Sequence, residues 1–330
     1  MCACCGPCSS MTTVLTQDPR LRAMIMPLFR FDPRSPDRRP FGLGTTFRID
    51  PWGTCATAFH VIEDMLLYSG KELVLRDEVR MVALELEGIA YGAAPLPEQA
   101  WRPLSALYAE GGGQTPALIH EKPRVRNLTE LARLAISRSH QKNEMPCLPV
   151  ALRKPPVLGE IVMGYGFANL DVAKDGAPED RPFSQYLYES AGEVIEVLPA
   201  DPSSSMPWPR FRVAAEWPSG MSGGPVLDRD GSVIGVISRS WTGERDSTAT
   251  HFAGWNVAER VFPSIDGLAP RRYRGFAALD DDDDIRFLGP NKEAAEVFAH
   301  DHGMTMRAVS CSVETGDWIA LCLLGIGFNI

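Results

Sequence analysis

Short runs of alternating or β-branched hydrophobic residues, cut by glycine, proline and aspartate, recur along the 330 residues of this chain. They predict strands at 42–49, 54–59, 72–76, 80–87, 131–136, 160–165, 192–197, 210–215, 225–228 and 232–239. Asp50-Pro51-Trp52-Gly53 and Asp228-Arg229-Asp230-Gly231 lie beside such runs and read as hairpin turns. Helical periods are few: Asn256 to Phe262 reads as a closing helix and Lys292 to Asp301 as a short one. With 29 glycines and 27 prolines the chain is punctuated like an all-β protein. Its length accommodates one double-barrel unit of about 200 to 250 residues plus extensions.

One glycine-rich run carries chemistry. Gly220-Met221-Ser222-Gly223-Gly224-Pro225 sets a serine between glycines, where backbone can fold closely around a reacting carbonyl. A serine hydroxyl attacks only when a base takes its proton and N–H groups hold the oxyanion that forms. Far upstream, Thr54-Cys55-Ala56-Thr57-Ala58-Phe59-His60 ends a strand on a histidine that can serve as that base. Each motif alone has an ordinary reading, a surface turn or a structural histidine; in this order and at domain-scale spacing the pair points to catalysis. With Gly42-Leu43-Gly44 ahead of the hairpin, the chain resembles the trypsin-like, chymotrypsin-fold serine peptidases over residues 40 to 265, in their order of His, acid, Ser.

The resemblance implies a mainly β fold of two six-stranded antiparallel Greek-key β-barrels, with the active site in the cleft between them and a C-terminal extension. The first barrel is expected over 22–140, and the second with its closing helix over 141–266. In the family an aspartate opening a strand orients the histidine. Here the one segment of that shape is Thr129-Glu130-Leu131-Ala132-Arg133-Leu134-Ala135-Ile136, which puts Glu130 in the aspartate's place. Its other reading is an exposed charge on a short amphipathic helix. Glu63, Asp64 and Asp77 lack the flanking strand pattern.

The same resemblance assigns the oxyanion hole to the backbone N–H groups of Gly220 and Ser222. Met221 stands where digestive members carry the aspartate that pairs with a newly cut N-terminus, so that switch is absent and the loop must be organised by other means. Ser238, Arg239 and Ser240 would line the cleft and pair with substrate as an added strand. Glu216 and Ser219 would wall the pocket for the side chain before the scissile bond, Glu216 standing where trypsin has its acidic base. His251 and Phe252 read as a further pocket wall or as core.

Charge and cysteine narrow the setting. A net charge of −9 and the lack of a basic stripe interleaved with aromatics argue against nucleic-acid binding. Of eight cysteines, four crowd residues 2 to 8, and Val61 stands where the family's common disulfide needs a cysteine. Residues 1–21 therefore read as a Cys-rich disordered tail without a signal peptide, in a cytoplasmic protein of bacterial type. Residues 267–330 read as an acidic linker around Asp280-Asp281-Asp282-Asp283-Asp284, followed by an extension that could engage a regulatory protein partner. Its apolar end, Trp318 to Ile330, is too short to span a bilayer and reads as a buried strand or helix. No metal, cofactor or membrane is implied.

The function so implied is that of a serine endopeptidase acting on protein or peptide substrates through an acyl-enzyme. Ser222 is the nucleophile, His60 the general base and acid, and Glu130 the orienting carboxylate. The alternative is an inactive or weakly active trypsin-like module that binds extended peptides or protein partners, supported by the departures at Phe59 and Glu130.

Overall fold

The computed structural model describes residues 13–16, 18–32, 34, 40–50, 53–69, 72–91, 96–114, 124–136, 145–168, 170, 185–240, 246–253, 258, 272–281, 285–289, 292–312 and 318–320. Six strands close the first barrel: β2 (Ile25–Phe31), β3 (Phe41–Arg48), β4 (Thr54–Ala58), β7 (Arg80–Leu84), β8 (Trp101–Gln114) and β9 (Val125–Ile136). A short hairpin of β5 (Leu66–Ser69) and β6 (Glu72–Leu75) projects between β4 and β7. Six more close the second: β10 (Ile161–Phe167), β11 (Leu187–Leu198), β12 (Arg210–Val213), β13 (Pro225–Leu227), β14 (Val233–Ser240) and β15 (Ser247–His251).

Both rings are antiparallel and follow one order: first, second, third, sixth, fifth, fourth. The fourth strand of each returns beside its first, which is the Greek-key connection. Strand periodicity fills the interiors. Phe29, Phe47, Phe59, Leu131 and Leu134 are buried in the first barrel, and Val194, Phe211, Val213, Trp217, Val226 and Ile237 in the second.

The barrels meet where two glycine motifs touch. Thr45, just after Gly44, donates its N–H to Ser222 O at 2.8 Å and its hydroxyl to Gly220 O at 2.8 Å. A β-carbon on Gly44 would sit 2.7 Å from that Ser222 carbonyl, so only glycine admits the approach. The Gly-x-Gly of the first barrel is thus a seat for the serine loop of the second.

Outside the rings, the expected N-terminal tail is structured from Thr13 onward. β1 (Val14–Leu15) adds to β11, pairing with Tyr188 and Glu189. α1 (Pro19–Met24) follows, capped by Asp18, whose side chain accepts from Arg20 N, with Pro19 in its first turn. The C-terminal residues form a small antiparallel sheet in the order β17 (Ile285–Gly289), β16 (Arg272–Leu279), β18 (Thr305–Ser312), β19 (Trp318–Ala320), with α2 (Phe59–Ile62) belonging to the first barrel and α3 (Lys292–Asp301) packed on this sheet. The acidic run read as a linker therefore falls at the β16–β17 hairpin, with 282–284 outside the described residues. The helix expected over 256–262 also lies outside them, Ala258 excepted, as do residues 1–12 and 321–330. Among the described residues no helix is long and apolar enough to cross a membrane.

His251 and Phe252 are core, 6% and 1% exposed. Burial pushes the His251 ring down to about 4, only partly offset by the nearby Leu198 and Ala253 backbone. Between pH 4 and 6.5 the unfolded chain holds a proton on this ring that the folded chain refuses. Stability is thus full above pH 6.5 and falls as pH drops towards 4, by about 3 kcal/mol from this group. Denaturant melts of His251→Phe across that range should show this loss removed; an unchanged pH slope would show that another group carries it.

Candidate active site

His60 lies on α2, which begins where β4 ends, and β4 runs antiparallel to β9 with Ala58 opposite Leu131. That register sets His60 beside Glu130, and His60 Nδ1 lies 2.5 Å from Glu130 Oε1. The strand reading of this segment holds. Glu130 is on β9 and wholly buried, against the reading as an exposed helical charge, while the His60 side chain is 20% exposed.

A departure from regular pairing gives Glu130 its reach. Between Ala109↔Ala132 and Gly111↔Asn127, β8 advances two residues while β9 advances five, so Leu128, Thr129 and Glu130 bulge from the ladder. Glu130 adopts φ 53°, the one positive φ among described non-glycine residues. Three side chains serve its carboxylate: His60 and the Ser238 hydroxyl at Oε1, the latter at 2.8 Å, and Asn127 Nδ2 at Oε2. Burial pushes this carboxyl up, but the His60 charge and the hydrogen bonds from His60, Asn127 and Ser238 outweigh it and hold it below the usual carboxylate range.

The serine loop is shaped by glycines. Gly220 has φ 98° and Gly223 φ 84°. A β-carbon on Gly223 would lie 2.2 Å from both Thr45 O and Thr57 Oγ1, and one on Gly224 1.9 Å from Tyr165 O. Met221 N donates to Pro218 O at 3.1 Å, closing a turn around Ser219 and Gly220; Gly223 N and Ile237 N exchange bonds with Ile237 O and Gly224 O. The N–H groups of Gly220 and Ser222 have no acceptor among the described residues. Half-buried Ser222 donates Oγ to Ser238 O across a long 3.4 Å.

Met221 explains how the loop holds its shape without an acidic switch. Its side chain is wholly buried in the second-barrel core with Trp217 and Val226. Gly166 permits this, since a β-carbon there would lie 2.7 Å from Met221 Cα. Trp217, at the other end of the loop, is equally enclosed, its ring against Gly164 and its backbone N–H donating to Ser247 Oγ at 3.1 Å.

The remaining expected residues divide. Ser238 is 1% exposed, and its hydroxyl buttresses Glu130 rather than facing the cleft. Arg239 and Ser240 continue β14 against Thr248 and Ser247, their side chains lying outside the described residues. Glu216 and Ser219 are exposed, and Glu216 O accepts from the Thr13 hydroxyl at 2.9 Å. Neither that tie nor Asn127 is legible in a motif; an Asn three residues before the acid is the only sequence trace of the latter. Among the described residues no group of three or more His, Cys, Asp or Glu could hold a metal ion.

The family model for the trypsin-like peptidase domain matches residues 44–236, more than half of the chain. This protein belongs to the trypsin-like peptidase family. No curated protein matches it.

Proposed function

We propose that the chain is a serine endopeptidase, with Ser222 as nucleophile, His60 as general base and acid and Glu130 as the orienting carboxylate. The observation that carries this reading is the 2.5 Å contact between His60 Nδ1 and the buried Glu130. A carboxylate there accepts a hydrogen bond from Nδ1–H, which leaves Nε2 unprotonated to accept from a hydroxyl. It also stabilises the imidazolium once the serine proton has moved.

In the first step the Ser222 hydroxyl leaves its long bond to Ser238 O, passes its proton to His60 Nε2 and bonds the scissile carbonyl carbon. Catalytic hydrogen bonds commonly tighten only once substrate is bound. The oxyanion is received by the N–H groups of Gly220 and Ser222. His60 then gives the proton to the leaving amine, and water, deprotonated by His60, hydrolyses the ester. The substrate backbone has a free edge to join: β13 pairs β14 only as far as Val236, with Ile237 bonded to Gly223 and Gly224, so residues 238–240 lack a strand on that side among the described residues.

Labelling with a fluorophosphonate tests this. The intact chain should be labelled covalently and Ser222→Ala not at all. Folded wild-type protein that takes no label, or a Ser222→Ala variant that labels equally, would overturn the assignment.

A further inference from the structure

The acid of this site needs outside help that the serine and histidine do not need. Glu130 is a β-carbon-bearing residue in left-handed backbone, a strained conformation that persists only when neighbours enforce it. It is also a wholly buried carboxylate whose second oxygen, Oε2, faces away from His60 and Ser238. Asn127 meets both needs with one side chain. Its Oδ1 accepts from Glu130 N at 2.9 Å, closing the bulge into a loop, and its Nδ2 donates to Glu130 Oε2.

We propose that Asn127 is a positioning residue for the Glu130–His60 pair, holding the backbone of the acid with one atom and the orientation of its carboxylate with another. This role rests on the catalytic reading above. An amide suits it because it offers an acceptor and a donor on two separate atoms of one short side chain. An aspartate would keep the acceptor and put a like charge against the carboxylate; an alanine would supply neither. The longer acid here therefore comes with its own clamp: the extra methylene of glutamate over aspartate adds a rotatable bond, and Asn127 removes that freedom by fixing Oε2. Thr129 supports the same bulge from the other side, its hydroxyl donating to Glu110 O at 3.1 Å.

The test uses the full chain and two variants, with fluorophosphonate labelling rate, thermal melting and the proton NMR resonance of the His60–Glu130 hydrogen bond as readouts. In Asn127→Ala, labelling should slow roughly 10- to 100-fold, the scale typical of outer partners that orient a working side chain. The far-downfield resonance of the short bond should move upfield or vanish. In Asn127→Asp the acceptor still closes the loop but a like charge meets Oε2, so melting should drop at about pH 8 and recover as pH falls and one carboxyl takes a proton, while labelling at about pH 8 falls as in Asn127→Ala. A wild-type rate and unchanged resonance in either variant would overturn the role, as would an Asn127→Ala defect explained wholly by unfolding beside a fully active Asn127→Asp. Failure of the catalytic reading would show instead in the wild type and in Ser222→Ala, and the resonance reports the clamp independently of it.

Discussion

Glu130→Gln is expected to slow acylation of Ser222 by roughly 10,000-fold at neutral pH while leaving the protein folded, the scale seen when a triad acid is replaced by its amide. The amide NH2 would compete for His60 Nδ1, favouring the tautomer that carries its proton on Nε2 and so cannot accept from the serine. Ser238 and Asn127, both donors to the present carboxylate, would meet an amide that satisfies them less well. The pH dependence adds a second measurement. The carboxyl of Glu130 is depressed in the folded protein, so its stabilisation is present above the unfolded carboxylate range and is lost as pH falls through the folded value. Melts of Glu130→Gln should show a shallower acid limb than wild type. A variant labelling within tenfold of wild type would mean that the buried carboxylate serves packing and not catalysis.

Met221→Asp is expected to destabilise the second barrel by about 4 kcal/mol or more, because a carboxylate would enter an apolar core with no cation or donor waiting for it. Labelling of Ser222 should be lost with it. Met221→Leu, which conserves volume and apolarity, should cost less than about 1.5 kcal/mol and retain labelling. Denaturant melts and labelling of the two variants side by side measure this. In family members switched on by N-terminal cleavage an aspartate at this position is an asset. Here burial of a methionine takes over its structural task, so a stable, labelling Met221→Asp would refute the hydrophobic anchoring of the loop.

The two substitutions mark where sequence reading succeeds and where it stops. The strands over 54–58, 210–213 and 233–240 were legible because short β-branched or alternating runs between turn residues define them locally. β2 is interrupted by Pro27, β8 contains Pro103 and a triple glycine, and β15, Ser247–His251, is small and largely polar though every residue in it is buried. Their membership in a barrel comes from neighbours on both sides, which no local window contains. At the site, Ser222, His60 and the segment bearing Glu130 stood out as residue types in order. The bulge that turns Glu130 inward, the Asn127 clamp and the inward hydroxyl of Ser238 did not, since each depends on register between strands distant in sequence.

The amino-acid sequence by itself determined the family, the two-barrel plan and which serine and histidine are the candidates for catalysis, because glycine-framed turns and short β-branched strands are local consequences of backbone sterics and burial. The tertiary structure alone decided how the acid reaches the histidine and what holds the serine loop. Those follow from a three-residue excess in one strand pair, a left-handed glutamate fastened by an asparagine, and a methionine that finds its core only after the second barrel has closed.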